Sequence, residues 1–532
     1  MEQRELIEQG RTALGIEFGS TRIKGVLIDY DGNVLASGGY EWENTLVDGV
    51  WTYALEDAVT GMRACYASLR TEVEKKYGIT PKTFGAIGLS AMMHGYIALD
   101  REDRQLARFQ TWRNTNTGKA ADALTEAFNF NIPLRWSAAH LYQRMLDKEA
   151  HVEHISSVFT LAAYMHYLLT GRKVIGVGDA AGMFPIDSKT LDYDEGMVET
   201  FDRMAAKAGY PGIRLREVFP AVLTAGEEAG TLTEAGAALL DDSGNLCAGI
   251  PLCPPEGDAG TGMTATNSVA PRTGNLSAGT SNFAMVVLER PLQKLHREID
   301  MVTTPSGFPV AMSHANNGTS DLNAWVGLFA EFCTLMGIEA DRNTLFSKLY
   351  THSMSGDPDG GGLLSYGYYS GENITFINEG RPLFVRTPDS HFNLANFFKV
   401  NLYTSLGAVK LGMDILLKDE GVKLDRIMGH GGLFKTPLVM QKVLAAAVNT
   451  PVTVMATASE GGAWGIALLA AYLADGKKDG KLEEYLDHRV FAGLTGDAVE
   501  PDPEEVKGFE EFTKRYLAGL EIEKAAIKAV NW

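Results

Sequence analysis

A chain of 532 residues with formal net charge −19, 45% hydrophobic and 22% charged residues is too long for one core at roughly 100–200 residues per domain. The composition is that of an ordinary globular protein, and acidic charges interspersed along it exclude nonspecific nucleic-acid and anionic-membrane partners, which recruit basic patches. Anionic small molecules must instead be met by local backbone sites.

The N-terminal stretch MEQRELIEQGRT is polar and acidic and lacks the basic and apolar regions of a signal peptide. TALGIEF (12–18) and IKGVLID (23–29) are β-rich runs on either side of Gly19-Ser20-Thr21, and Tyr30-Asp31-Gly32-Asn33 signals a hairpin into VLASGGY (34–40). An antiparallel meander is expected. A helix over 55–78, a short strand at FGAIGLS (84–90) and further helices to about Leu169 follow, which is an α/β pattern.

Near the midpoint the opening pattern returns: GNLSA (274–278), then Gly279-Thr280-Ser281, then NFAMVVLE (282–289). Each copy reads as strand, glycine-hydroxyl-hydroxyl turn, strand, and the placement of the second favours a duplicated architecture. Beyond it come a helix over 322–338, the glycine-rich DPDGGGLLSYGYYSGEN (357–373) and a long helix within 392–420. RIMGHGGLFKTPLVMQKVLAAAV (426–448) reads as strand-turn-helix, PVTVMA as a strand, EGGAWGIALLAAYLA (460–474) as a helix and 504–530 as a solvent-facing amphipathic helix. The longest apolar run, AWGIALLAAYLA (463–474), is shorter than the ~20 residues that cross a bilayer. With no membrane partner and no CxxC spacing among Cys65, Cys247, Cys253 and Cys333, a cytoplasmic protein with reduced thiols is expected.

Glycine turns with hydroxyl residues present several N–H groups to one point and suit phosphate oxygens, although two ordinary hairpins would read the same. Gly429-His430-Gly431-Gly432 follows a strand and precedes a helix, as a nucleotide site or a Rossmann fragment would, but neither G-x-G-x-x-G nor a Walker motif is completed. Asp258, among the small residues of PPEGDAGTGMTATN, suits a base that accepts a hydroxyl proton, and equally suits a helix cap. Met93-His94-Gly95 ends a strand where ligands of open α/β sheets bind, and Trp112 with Asn114 offers an aromatic face and an amide to a polyol; packing accounts for each singly. His151 and His154 of HVEH have no third ligand nearby and read as helix surface.

Together and in this order these segments resemble the FGGY carbohydrate kinases. GIEFGSTRIKGVLID is similar to the first phosphate hairpin of that family, with Lys24 at its basic position, and SAGTSNF is similar to the second. GLSAMMHGYIALD resembles the xylulokinase segment G-L-S-G-Q-M-H-G, TWRNTNT resembles W-x-D-x-R, and GDAAGMFPID the D-A-S-G segment. AGIPLCPPEGDAGTGMTATNSV places Asp258 at the catalytic base, and GHGGLFKTPLV with EGGAWGIALLA is similar to the adenosine-binding segments.

The resemblance implies a duplicated actin-like ribonuclease-H fold, with a sugar-binding domain over 1–270, a nucleotide-binding domain over 271–532 and a ligand cleft between them. It implies an ATP- and Mg2+-dependent kinase acting on a small-molecule sugar such as xylulose or ribulose, and leaves a homodimer open. Met93, His94, Trp112 and Asn114 would contact the sugar; Gly19, Ser20, Thr21, Lys24, Gly279, Thr280 and Ser281 the phosphates; Gly431 and Gly432 the adenosine. The chain departs from the family where the acid of the first hairpin is Glu17, the candidate metal ligand, where Met92 replaces glutamine, and where Asn114 and Asn116 replace a carboxylate and a guanidinium. These departures keep two alternatives open: a kinase for another polyol, and an actin-fold ATP binder that transfers nothing. An oxidoreductase fails on its incomplete glycine fingerprint.

Overall fold

The computed structural model describes residues 2–454, 461–493, 496 and 498–530. They divide into two compact units, Met1–Ala270 with Met301–Val310 and Thr457–Gly493, and Pro271–Asp300 with Ala311–Ala456 and Leu494–Trp532. A single boundary at 270/271 is expected from the sequence; in this division two segments of the second half, Met301–Val310 and Thr457–Gly493, lie with the first unit. The cause lies in helix Gly461–Ala474, apolar on all sides and buried along its length. It packs on strands Ala13–Phe18 and Ala86–Ala91, where Gly15 and Gly88 make room: a methyl at Gly15 would strike Ala463 and Ala467, and one at Gly88 would strike Ile466.

The sheet of the first unit runs Glu256–Gly257, Ala86–Ala91, Ala13–Phe18, Arg22–Ile28, Val34–Glu41. Its central strand is antiparallel to Arg22–Ile28, with Glu17 opposite Lys24, and parallel to Ala86–Ala91, with Glu17 beside Ser90. Helix Leu55–Tyr77 covers the opposite face and ends at Gly78, whose φ of 67° suits a left-handed cap. The expected hairpin turn is an Asx turn: the Asp29 carboxylate accepts the N–H groups of Asp31 at 3.0 Å and Asn33 at 2.9 Å.

The second unit repeats the arrangement. Thr273–Ala278 is antiparallel to Asn282–Val287 and parallel to Arg426–His430, which is parallel to Val452–Val454. Helix Leu394–Asp414 is buried along nearly its whole length. Helix Pro503–Ala529 starts at the Asp502 cap and lays Phe509 and Phe512 on Tyr403, so one of its faces is core rather than solvent-facing. The buried Lys399 and Lys410 pair with Glu505 and Glu510 on that helix at 2.9 and 2.7 Å. Met455 and Ala456 of PVTVMA, and Glu460, lie outside the described residues. All four cysteines are free thiols, and no helix among the described residues is long and apolar enough to cross a membrane.

Candidate active site

Strand Glu256–Gly257 adds to the edge of the first sheet with Gly257 opposite Ala91, which carries Asp258 alongside the Met93-His94 corner. Asp258 is the first residue of helix Asp258–Ala265, and its Oδ1 accepts the Met93 N–H at 3.0 Å. Gly257 has to be bare, since a methyl there would strike the Met93 side chain. Desolvation raises the Asp258 pKa, opposed by the Met93 N–H and by the charge of Arg135. The residue itself is exposed, so the result is an accessible carboxylate held at one oxygen by a backbone N–H.

The corner itself is folded tightly. His94 adopts φ 68°, Gly95 φ 125°, and the buried imidazole Nδ1 lies 3.2 Å from the Gly182 carbonyl. Met93 and His94 thus reach the same place as Asp258. Trp112 is 41% exposed. The amide that Asn114 offers in the sequence to a sugar hydroxyl is taken up internally: Oδ1 accepts the Trp51 N–H at 2.9 Å and Nδ2 donates to the Trp51 carbonyl at 2.7 Å. Its neighbour Arg113 stacks on the Trp51 ring at 3.5 Å, and Asn116 accepts from Arg144 at 3.2 Å. His151, expected on a helix surface, instead meets the buried Tyr96 hydroxyl at 2.8 Å. Among the described residues no group of three potential metal ligands forms.

The first glycine turn has all three carbonyls drawn back. Trp42 Nε1 donates to Gly19 O at 2.7 Å, the Tyr53 hydroxyl to Ser20 O at 2.7 Å and the Trp42 N–H to Thr21 O at 3.2 Å. Trp42 and Tyr53 stack at 4.2 Å, a clamp that sequence reasoning missed. Ser20 and Thr21 remain exposed, as a backbone anion site requires.

Beside the turn, Glu17 Oε2 accepts the Ala463 N–H at 3.1 Å, at the start of helix Gly461–Ala474. Its pKa is raised to about 7 by burial and by the charge of Asp258, against the Ala463 N–H and Lys24. A partly buried carboxylate beside the Asp258 charge suits a hard divalent cation, and magnesium is ordinarily held by one or two carboxylates with phosphates and waters. Glu17 therefore fits that role.

In the second unit, Gly279 N donates to Ser281 O at 3.1 Å, and the Gly318 and Thr319 N–H groups hold the Thr280 and Gly279 carbonyls at 2.8 and 3.1 Å. Strand pairing sets Ser277 opposite His430, which brings Gly431 against Ala278. Gly431 has φ 101° and its missing side chain would strike the Ala278 carbonyl. Gly432 then opens a short helical turn, Gly432–Lys435. The loop that holds the second turn is fixed by Glu372, whose Oε2 accepts Asn316 N, Asn317 N and Asn317 Nδ2 at 3.0, 3.3 and 3.1 Å. Nothing local in the sequence marks Glu372 for this.

Comparison with known proteins matches residues 12–259 to the N-terminal domain, and 274–474 to the C-terminal domain, of the FGGY family of carbohydrate kinases. A xylulose kinase of Haemophilus influenzae is 22% identical over 95% of this chain and 99% of its own length. The crystal structure of a xylulose kinase from Rhodospirillum rubrum aligns with a TM-score of 0.78 at 19% identity, covering 96% of this chain and 99% of that one. A gluconate kinase from Lactobacillus acidophilus aligns at 0.77 and 17%, covering 97% and 98%. These likenesses show the two-domain actin-like fold. With both of its domain models matched in order, the chain is a member of the FGGY family of carbohydrate kinases.

Proposed function

We propose that the chain phosphorylates a hydroxyl of a ketopentose such as xylulose or ribulose, using ATP and Mg2+, with Asp258 as general base. The observation that carries this reading is the Asp258 carboxylate, exposed to solvent and held by the Met93 N–H at 3.0 Å in the same corner as the buried His94. A relative 22% identical over its full length is a xylulose kinase, which favours a ketopentose. Asp258 accepts the proton of the attacking hydroxyl as its oxygen bonds to the γ-phosphorus and the bond to the ADP oxygen breaks. Met93 and His94 position the sugar and Trp112 offers it an apolar face, while Asn114 fastens the wall through Trp51.

The Gly19-Ser20-Thr21 turn with Lys24, and the Gly279-Thr280-Ser281 turn, supply N–H groups and charge to phosphate oxygens. Gly431 and Gly432 give adenosine a bare backbone. Magnesium, when bound, offsets phosphate charge; Glu17 is the residue that would hold it. The test is ADP release with xylulose, ribulose, glycerol and gluconate, for wild type and Asp258→Asn. Sugar-dependent turnover falling about 10²–10⁴-fold in the variant is expected. Undiminished turnover removes Asp258 from this role, and nucleotide binding without turnover on any sugar overturns the kinase reading.

A further inference from the structure

Two acids behind Asp258 have no part in the proposed transfer. Glu256 is 1% exposed although its strand is at the sheet edge, and Asp179 is completely buried. Glu256 Oε1 accepts the Gly178 N–H at 3.2 Å, and Asp179 Oδ2 accepts the Thr160 hydroxyl at 2.6 Å. The remaining oxygens, Glu256 Oε2 and Asp179 Oδ1, are buried without a hydrogen-bond partner among the described residues. The Glu256 carboxyl fills a cage of bare backbone: a methyl at Gly176 or Gly178 would collide with it, and one at Gly260 would crowd Oε2 at 3.2 Å.

Among the described residues, the elements packed most closely against this acid bring no basic side chain to offset it. The elements packed on its strand are Ala86–Ala91, Leu161–Thr170, Val174–Gly176, Val177–Ala180 and Asp258–Ala265, and none contains lysine or arginine. The titratable groups they bring are Asp179, Asp258, Tyr164, His166 and Tyr167. His166 Nε2 is engaged by the Ala229 carbonyl at 3.0 Å, and the Tyr167 hydroxyl by Asp103 at 2.7 Å. On the segment that leads into the strand, Cys253 is a buried thiol. An unpaired charge in such a place is far costlier than a neutral acid. Burial and the Asp179 charge push the Glu256 pKa up to about 8 against the N–H groups of Gly178, Asp179 and Gly257, and burial with the Asp258 charge pushes Asp179 up to about 7 against the Thr160 hydroxyl.

We propose that Glu256 is a positioning residue that must carry its proton for phosphoryl transfer: as a neutral acid bonded to Gly178 it leaves Asp258 charged and ready. Its ionisation releases the proton to solvent and adds a negative charge beside Asp179 and Asp258. That charge disturbs the base and opposes an approaching anionic phosphate, so turnover falls in alkaline solution.

The inference rests on the assignment of Asp258 as base, and two measurements separate them. The first is kcat from about pH 6 to about pH 9.5, on whichever panel sugar is turned over, for wild type and Glu256→Gln, the isostere of the neutral acid. Expected are kcat within about threefold of wild type near pH 7, an unchanged sugar KM, and an alkaline limb displaced upward by about one pH unit or more. Superimposable profiles, or a folded but inactive Glu256→Gln, overturn the inference. The second is infrared difference spectroscopy over the same pH range without sugar. A protonated-carboxyl band lost on alkalinisation in wild type and missing from Glu256→Gln supports it; identical spectra overturn it. If no sugar is phosphorylated, or Asp258→Asn retains turnover, the functional reading fails, and the infrared pair still decides whether Glu256 is neutral.

Discussion

The turns Gly19-Ser20-Thr21 and Gly279-Thr280-Ser281 end central strands with the same pairing, one neighbour antiparallel and the other parallel. What restrains them differs. In the first, the side chains of Trp42 and Tyr53 hold the carbonyls. In the second, backbone N–H groups of Gly318 and Thr319 do so, on a loop tied to the buried Glu372. Two unrelated supports reach one outcome, carbonyls turned back into the protein while the glycine N–H closes each turn, which identifies backbone direction as the property the turns share.

That comparison breaks most readily at Glu372. One buried oxygen accepts three N–H groups, so Glu372→Ala leaves several donors unsatisfied and is expected to cost about 3 kcal/mol of stability. The matching measurement is denaturant unfolding with and without ATP. Loss of ATP affinity larger than the change for any first-turn variant places the nucleotide chiefly on the second unit's turn. Equal losses would make the two turns equivalent.

Glu17→Gln follows in size. Turnover should fall about tenfold or more, with added magnesium restoring little and sugar binding by calorimetry nearly unchanged. Equal losses in both would assign Glu17 to the fold. The pH dependence has a definite sign. A carboxyl raised to about 7 in the folded chain binds a proton that the unfolded chain has lost, so its contribution is complete below about pH 4.5 and lost as pH rises through about 7. Glu17→Gln therefore raises the melting temperature near pH 8 relative to wild type and leaves it unchanged near pH 4, in the absence of magnesium.

Trp42→Phe keeps the stack on Tyr53 and removes the donor to Gly19 O. A single hydrogen bond of about 1 kcal/mol corresponds to roughly a fivefold rise in the ATP KM with kcat little changed. A rise confined to kcat would show that the clamp serves transfer rather than binding.

Both turns were legible in the sequence because glycine and hydroxyl residues between β-rich runs are local signals, and Asp258 stood out as a candidate only through the order of the segments around it. Their supports were not. Trp42 lies 23 residues beyond Gly19, and Glu372 is 55 residues beyond Asn317, distances at which pairing depends on topology. Helix Gly461–Ala474 shows the same limit: an apolar surface all round announces burial, but only the glycines at 15 and 88 explain why the first sheet receives it. Asn114 shows the reverse, a polar residue whose type suggests a ligand and whose hydrogen bonds are all made within the wall.

The smallest predicted effect is also the control for Glu17. Ser277 stands two residues before Gly279 as Glu17 stands two before Gly19, on the same strand of the repeated hairpin. It brings a neutral hydroxyl where the first unit brings an acid. Ser277→Ala should change stability by no more than about 0.5 kcal/mol and should leave the magnesium dependence of turnover intact. Titrating magnesium against both variants then isolates the charge: a shift with Glu17→Gln alone assigns the cation to the first hairpin, whereas a comparable shift with Ser277→Ala means the two hairpins are as alike in chemistry as they are in backbone.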